Sequence, residues 1–233
     1  MIQFFSAEIH TNPVLDPQES VHCIRVLRKK RGDMVRVTDG KGKIFECEII
    51  DDSSRKVELA ILSERNEKKN WSQDITLAIA PTKNSDRMSW VVEKAVEIGV
   101  DNILFFPSRH CERKTVNIER LRRNAISAMN QSLKSYLPNV KMLDKFDALT
   151  ALKGKKFFGY CDEVISRRNF IDEYRGKEDI VIAIGPEGDF SEEEVFELIK
   201  GGYQAVTFGK ERLRTETAAL YSIVAVHILT NLN

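Results

Sequence analysis

Two short stretches of this 233-residue chain carry the residue types that can hold and act on a small ligand. The first is IVIAIGPEGDFSEEEV, Ile180 to Val195. An apolar run ends in Gly185-Pro186-Glu187-Gly188, and a helix start follows at once. Ser191 and Glu194 form an S-x-x-E capping box, with Phe190 and Val195 at the staple positions. Glycines on both sides of Pro-Glu let main-chain N–H and C=O groups approach a ligand closely. The second is VTFGKERLRTETAAL, Val206 to Leu220. Another apolar run stops at Phe208-Gly209, a basic loop follows, and Thr215 is placed to cap a helix from Glu216. Arg214 and Glu216 offer a cation that can stabilise developing negative charge and a carboxylate that can accept a proton. Plainer uses stand beside these. Glu216 suits the first turn of a helix, Arg214 suits a phosphate, and G-x-x-G suits an ordinary strand-to-helix turn. A helix N-terminus also binds anions, but neither G-x-x-x-x-G-K-[ST] nor G-x-G-x-x-G occurs, which argues against a triphosphate or dinucleotide.

Loops of this kind do chemistry where they crown a parallel sheet, because ligands bind at the carboxyl ends of its strands. The chain from about residue 72 has that pattern. Asp74–Ala80, Asn102–Phe106, Lys156–Cys161, Asp179–Gly185 and Ala205–Gly209 read as apolar strands, with helices between them. One helix is capped by Ser85 or Asp86 and ends at Gly99; a long one runs from Ile118 to Leu133 before Pro138. Such alternation predicts an α/β domain with a parallel sheet covered on both faces, and it sets the two glycine bends on neighbouring strand ends. Trp90 is expected in the core. The final helix is apolar nearly all round through Ala218, Leu220, Ile223, Val224 and Ile228, which predicts burial on every side, with a second subunit as one natural cover.

The first 63 or so residues read differently. Phe4–Ile9, Met34–Gly40, Lys43–Ile50 and Lys56–Ser63 look like short strands separated by turn signals at Asp39-Gly40-Lys41-Gly42 and Asp51–Ser54. One helical segment, Glu19–Arg28, interrupts them. The expectation is a small barrel, joined by a polar linker over Glu64–Ser72.

Composition narrows the class. Hydrophobic residues make up 42% and no window is apolar enough to span a membrane, so a globular chain is expected. Four scattered cysteines with no C-x-x-C point to reduced thiols, no metal, and the cytoplasm; no export signal is visible. Net charge is +1, but basic residues cluster at Arg25, Arg28, Lys29, Lys30, Arg31 and Arg36, and again at Arg109, Arg113, Lys114, Arg120, Arg122 and Arg123. Two such clusters fit RNA phosphates; either alone also fits a solvated face.

Together these residues resemble the RsmE-type ribosomal RNA methyltransferases of the SPOUT class. The IGPEGDFSEEE and FGKERLRTETA stretches look like that family's two signature loops. His22, Val26, Leu27, Arg28, Gly32, Asp33, Asp39 and Gly40 match its N-terminal pattern; Lys83, Arg87, Glu93, Lys94, Glu97, Gly99 and Val100 match its first catalytic-domain helix; Gln131-Ser132 and Pro138 match the end of its long helix. Departures are Asp189 where a glycine is frequent, Lys210-Glu211 after Gly209, Arg109-His110-Cys111 in place of Glu-Arg-Ser, and Lys134 in place of arginine.

The resemblance implies a PUA-like RNA-binding β-barrel over 1–68 and a SPOUT methyltransferase domain with a trefoil knot over 72–233. It implies a homodimer that methylates N3 of a uridine in 16S ribosomal RNA of the small subunit, with S-adenosyl-L-methionine as donor. The donor would lie against Ile184, Gly185, Gly188, Phe208, Gly209, Leu213, Thr215 and Ala218. Arg214 and Glu216 would be the catalytic candidates, and Arg25, Arg28, Lys29, Lys30, Lys83, Arg87, Arg109 and Arg113 the RNA contacts. A non-catalytic ribosome-assembly factor, or a methyltransferase acting on transfer RNA, remains compatible with the same residues.

Overall fold

In the computed structural model, which describes residues 2–162 and 165–232, the chain divides into two units. The first comprises Met1–Asn70 together with Ile126–Leu137; the second comprises Trp71–Ala125 and Pro138–Asn233.

The first unit is built on a four-stranded sheet in the order β1-β2-β3-β4. β1 (Gln3–Phe5) runs parallel to β2 (Met34–Thr38), while β3 (Lys43–Ser53) and β4 (Lys56–Asn66) continue antiparallel. Alternate residues of these strands enclose Phe4, Val35, Val37, Phe45, Cys47, Ile49, Val57 and Leu59, the period-two burial expected of a strand with one wet face. Irregular register at Glu46/Cys47 and Ile49/Asp51 bends the long β3–β4 ribbon. The expected first strand is shorter than its pattern, because the chain turns after Phe5. Asp16 caps α1 (Pro17–Val21) through Gln18 and Glu19 N–H groups, and the segment continues as a wider turn over His22–Val26. The presumed linker also starts late. Glu64, Arg65 and Asn66 pair with Phe45, Ile44 and Lys43 as part of β4, held by Arg65–Glu46 (3.0 Å) and Lys43–Glu64 (3.3 Å) ion pairs. Cross-strand charges let a polar sequence hold a ladder.

Residues 126–137 belong with this unit for visible reasons. Gly42 N–H donates to Ser135 O and Leu137 N–H to Gly40 O, each at 2.9 Å. A side chain on Gly42 (φ +101°) would strike the Tyr136 ring. Within the same unit Asn130 Nδ2 donates to Glu19 Oε1 at 3.3 Å. Burial, aided by Asp16, pushes the Glu19 carboxyl up to about 7. Folding therefore favours its neutral form. That contribution is present below the unfolded value near 4.5 and is lost as pH rises through about 7. Glu19→Gln is expected to leave stability near pH 4.5 almost unchanged and to raise it by roughly 1–3 kcal/mol at pH 8. Urea midpoints at the two pH values check this; parallel shifts at both would contradict it.

The second unit holds a seven-stranded, wholly parallel sheet in the order β7-β6-β5-β10-β8-β11-β9. Its strands are β5 (Ile75–Ile79), β6 (Asn102–Phe105), β7 (Asn139–Met142), β8 (Lys155–Gly159), β9 (Arg168–Asn169), β10 (Ile180–Ile184) and β11 (Tyr203–Thr207). Every residue of β5 and β10 is buried, as a sheet covered on both faces requires. Its helices are α2 (Ser85–Ile98), α4 (Phe170–Glu173), α5 (Glu192–Lys200) and α6 (Thr215–Leu232), together with the start of α3 (Ile118–Gln131), which belongs to the first unit from Ile126 onward. α2 is capped by Asn84, not by Ser85 or Asp86: Asn84 is the extended residue, and its Oδ1 accepts from Asp86 N–H. Gly99, at φ +126°, ends that helix as expected. α3 stops two residues early, where Leu133 turns to φ +56°.

One burial expectation fails, and another is met by this chain on one side of a helix only. Trp90 is 46% exposed on α2, since Met88, Val91, Val92 and Ala95 take that helix's inner face. On α6, Ala219, Ile223 and Val226 are buried, but Tyr221, Val224 and Ile228 are 42%, 40% and 52% exposed. These three fall on one helical face, so a single chain covers only the other face.

Candidate active site

The bend after β10 and the bend after β11 meet, but not as neighbours. β8 lies between their strands, so three strand ends shape the site. They open into a cavity of about 710 Å³. Ile184, Gly185, Phe208, Gly209, Leu213, Thr215 and Ala218 all line it. Gly188 does not; it lines a second cavity beside the first.

Local sequence explains how the bends hold their shape. Ser191 accepts from Glu194 N–H while Glu194 Oε2 accepts from Ser191 N–H at 2.9 Å, closing the expected capping box. Glu194 also holds Arg109 N–H and the Ser108 hydroxyl, tying the loop after β6 to the start of α5. Gly209, at φ +141°, adopts a conformation that side chains disfavour, and Thr207 Oγ1 bridges to its carbonyl at 2.6 Å. Thr215 does not cap α6. The helix already includes it, and its hydroxyl donates instead to Gly185 O at 3.1 Å. That buried bond joins the two bends directly. Thr215→Val, which keeps the shape and removes the donor, leaves a buried carbonyl unpartnered at a cost of about 1–3 kcal/mol. The variant is expected to melt several degrees lower and to open the cavity wall; an unchanged melting temperature would contradict that role.

The third bend, after β8, carries no local signal in the sequence. Gly159, Tyr160, Cys161 and Arg167 line the same cavity. Arg167 Nη1 donates to the Tyr160 and Cys161 carbonyls at 3.0 and 2.8 Å. Asp189, at φ +58°, spends one carboxylate oxygen on Cys161 N–H and the other on Phe190 N–H, each at 2.9 Å. Burial pushes its carboxyl above the usual range. Asp189 thus clamps the β8 bend to the β10 bend.

The second cavity, about 580 Å³, shares Tyr160, Cys161, Asp189 and Arg212 with the first and adds Arg109 and His110. Gly188 is glycine because His110 packs on it: an added Cβ would lie 3.0 Å from His110 Cβ.

Of the two catalytic candidates, Arg214 lines the first cavity and Glu216 does not. Glu216 is 8% exposed, with Oε1 3.4 Å from Arg87 Nη1 and a buried Oε2 that has no hydrogen-bond partner among the described residues. The RNA-contact candidates divide. Arg25, Arg28 and Lys30 are exposed and, like Arg113, form no ion pair among the described residues; Lys29 sits 3.9 Å from Asp33. Lys83 pairs with Glu112 (2.8 Å), Arg87 with Glu216, and Arg109 with Glu193 (2.7 Å). The described residues contain no group of three or more metal-binding side chains and no helix long and apolar enough to cross a membrane.

Known proteins share this arrangement. Residues 69–227 match the model of an RNA methyltransferase domain, and residues 15–62 that of an RNA methyltransferase PUA domain. Ribosomal RNA small subunit methyltransferase E of Rickettsia conorii is 31% identical over 216 residues, covering 90% of this chain and 86% of that protein. A probable rRNA-methyltransferase from Porphyromonas gingivalis superposes with a TM-score of 0.93 at 38% identity, over 100% of this chain and 99% of the other. A ribosomal RNA small subunit methyltransferase E from Neisseria gonorrhoeae, solved bound to S-adenosyl methionine, does so at 0.85 and 28%, covering 98% of each. With a PUA domain followed by a parallel α/β methyltransferase domain, the chain belongs to the RNA methyltransferase family of the ribosomal RNA small subunit methyltransferase E type.

Proposed function

We propose that this chain transfers the methyl group of S-adenosylmethionine to N3 of a uridine in the 16S ribosomal RNA of the small subunit. One observation carries the reading: in a chain of this family, the two signature bends enclose a single cavity of about 710 Å³. That volume falls in the range of small-molecule sites, roughly 300–1,000 Å³. Ile184, Phe208 and Ala218 offer apolar cover for an adenine. Main-chain groups at Gly185, Gly209, Leu213 and Thr215 offer its polar edges, and Gly188 supports the wall from behind.

The bound donor supplies an electrophilic methyl on a positively charged sulfur. Transfer then depends on alignment and on stabilising the charge that appears on the uracil carbonyls when N3 loses its proton. Arg214, on the cavity wall, takes that second task. Glu216 acts on the site from outside the lining, fixing the first turn of α6 through Arg87.

Residues 1–68 serve as the RNA-binding domain and 72–233 as the catalytic domain, the latter carrying the family's trefoil knot. Arg25, Arg28, Lys29, Lys30 and Arg113 meet RNA phosphates; Lys83, Arg87 and Arg109 would first have to leave their acidic partners. The protein works in the cytoplasm as a homodimer, with Tyr221, Val224 and Ile228 of α6 covered by the second copy. The uncovered apolar face supports this.

The test is genetic and chemical. After deletion of the gene, 16S ribosomal RNA is digested to nucleosides and analysed by mass spectrometry. Loss of 3-methyluridine is expected, with return on complementation by the wild-type gene. An unchanged nucleoside profile would contradict the assignment.

A further inference from the structure

The reading above leaves the proton on uracil N3 without an acceptor, because Arg214 cannot take one and Glu216 lies outside the cavity lining. The second cavity holds a group suited to it. His110 Nδ1 lies 3.1 Å from both Gly188 O and Asp189 O. Carbonyl oxygens only accept, so Nδ1 must carry a hydrogen, and in the neutral ring the lone pair is then fixed on Nε2. We propose that this cavity receives the target uracil and that His110 Nε2 is its proton acceptor. The inference rests on the function proposed above.

The cavity adjoins the donor cavity through a shared wall of Tyr160, Cys161, Asp189 and Arg212, which sets acceptor and donor side by side. Of the other carboxylates on its lining, two are engaged, and Glu192 is the rival acceptor that the test below compares. Asp189 has both oxygens on backbone N–H groups, and Glu193 is bound to Arg109 at 2.7 Å. Imidazole also suits the task better than a carboxylate, because a general base works best when its basicity lies near the working pH. The step balances within the two substrates and this ring. The N3–H proton passes to Nε2, the freed pair forms the N3–CH3 bond, and the CH3–S bond breaks with its electrons returning to sulfur. The sulfonium leaves as a thioether, and the imidazolium gives its proton to water.

The full-length protein carrying His110→Asn tests this. An asparagine amide can still donate to the Gly188 and Asp189 carbonyls but offers no base at the Nε2 position. The single-turnover methylation rate on unmethylated small subunits is expected to fall roughly 10²–10⁴-fold, while S-adenosylmethionine affinity by calorimetry stays within about threefold. Added imidazole should partly restore the smaller His110→Ala variant. Independently of activity, nitrogen-15 spectra of the wild-type protein should show the neutral ring of His110 as the Nδ1–H form. A rate within threefold of wild type, loss of donor binding alongside activity, an Nε2–H ring, or a comparable loss in Glu192→Gln would each overturn the proposal. Failure of the wild-type protein to methylate any uridine would instead remove the proposed function.

Discussion

Arg214→Ala is expected to lower methyl transfer about 10²- to 10³-fold, some 3–4 kcal/mol of barrier, with little loss of donor affinity. The split follows from charge. Arg214 lines the cavity in which a positively charged sulfur is proposed to sit, and two cations do not bind one another. A guanidinium there is useful only against negative charge, and such charge arises as uracil surrenders its N3 proton. Removing it therefore costs the transition state rather than the donor complex. Arg214→Lys keeps the charge without the planar fork and should recover part of the rate. Calorimetry for the donor and single-turnover kinetics for the step separate the two effects. A variant that loses donor binding while its saturated rate stays intact would assign Arg214 to the donor instead.

The opposite split is expected at Gly159. A Cβ there would lie 2.8 Å from Phe208 Cε2 and 3.3 Å from Ile184 Cδ1. Phe208 has limited retreat, because its ring already packs on Phe170 and Tyr221 at centroid distances of 5.6 and 5.9 Å. A branched side chain must push Phe208 or Ile184, and both line the cavity. Overpacking of this kind costs about 1–3 kcal/mol, so Gly159→Val should weaken donor binding roughly 10- to 100-fold. Gly159→Ala should show a smaller change in the same direction. Wild-type affinity in Gly159→Val would mean that the donor does not use this wall.

Gly159 also shows where the sequence falls silent. The G-P-E-G bend is legible because a wholly apolar run ends abruptly in glycine and an S-x-x-E box marks the next helix; both signals are local. The R-T-E-T-A bend is legible for the same reason. The bend after β8 is not, because Gly159 looks like one more residue of a strand read as Lys156–Cys161. That it lies between the other two depends on the strand order β10-β8-β11, which no local pattern encodes. β7 and β9, with four and two residues, are too short for alternation to register. The assignment of residues 126–137 to the first unit rests on contacts such as Gly42 with Tyr136, far apart in the chain.

Individual side chains follow the same rule. Thr215 reads as a helix cap because caps are defined by neighbours a few residues away; its actual partner is Gly185, thirty residues earlier. Trp90 reads as core by its size, yet the helix turns other residues inward. Lys83, Arg87 and Arg109 read from sequence as RNA contacts, and the acids they pair with come from other segments. His110 stands out in sequence only as part of the Arg109-His110-Cys111 departure, since the two carbonyls that fix its ring come from a bend 78 and 79 residues away.

A structure of this protein crystallised with S-adenosylmethionine would settle where the donor lies. The adenine is expected between Ile184 and Ala218, with its polar edges on main-chain atoms of the 209–215 loop and its methyl toward the wall shared with the His110 cavity. Donor density elsewhere, or a cavity left empty at saturating donor, would contradict the central claim.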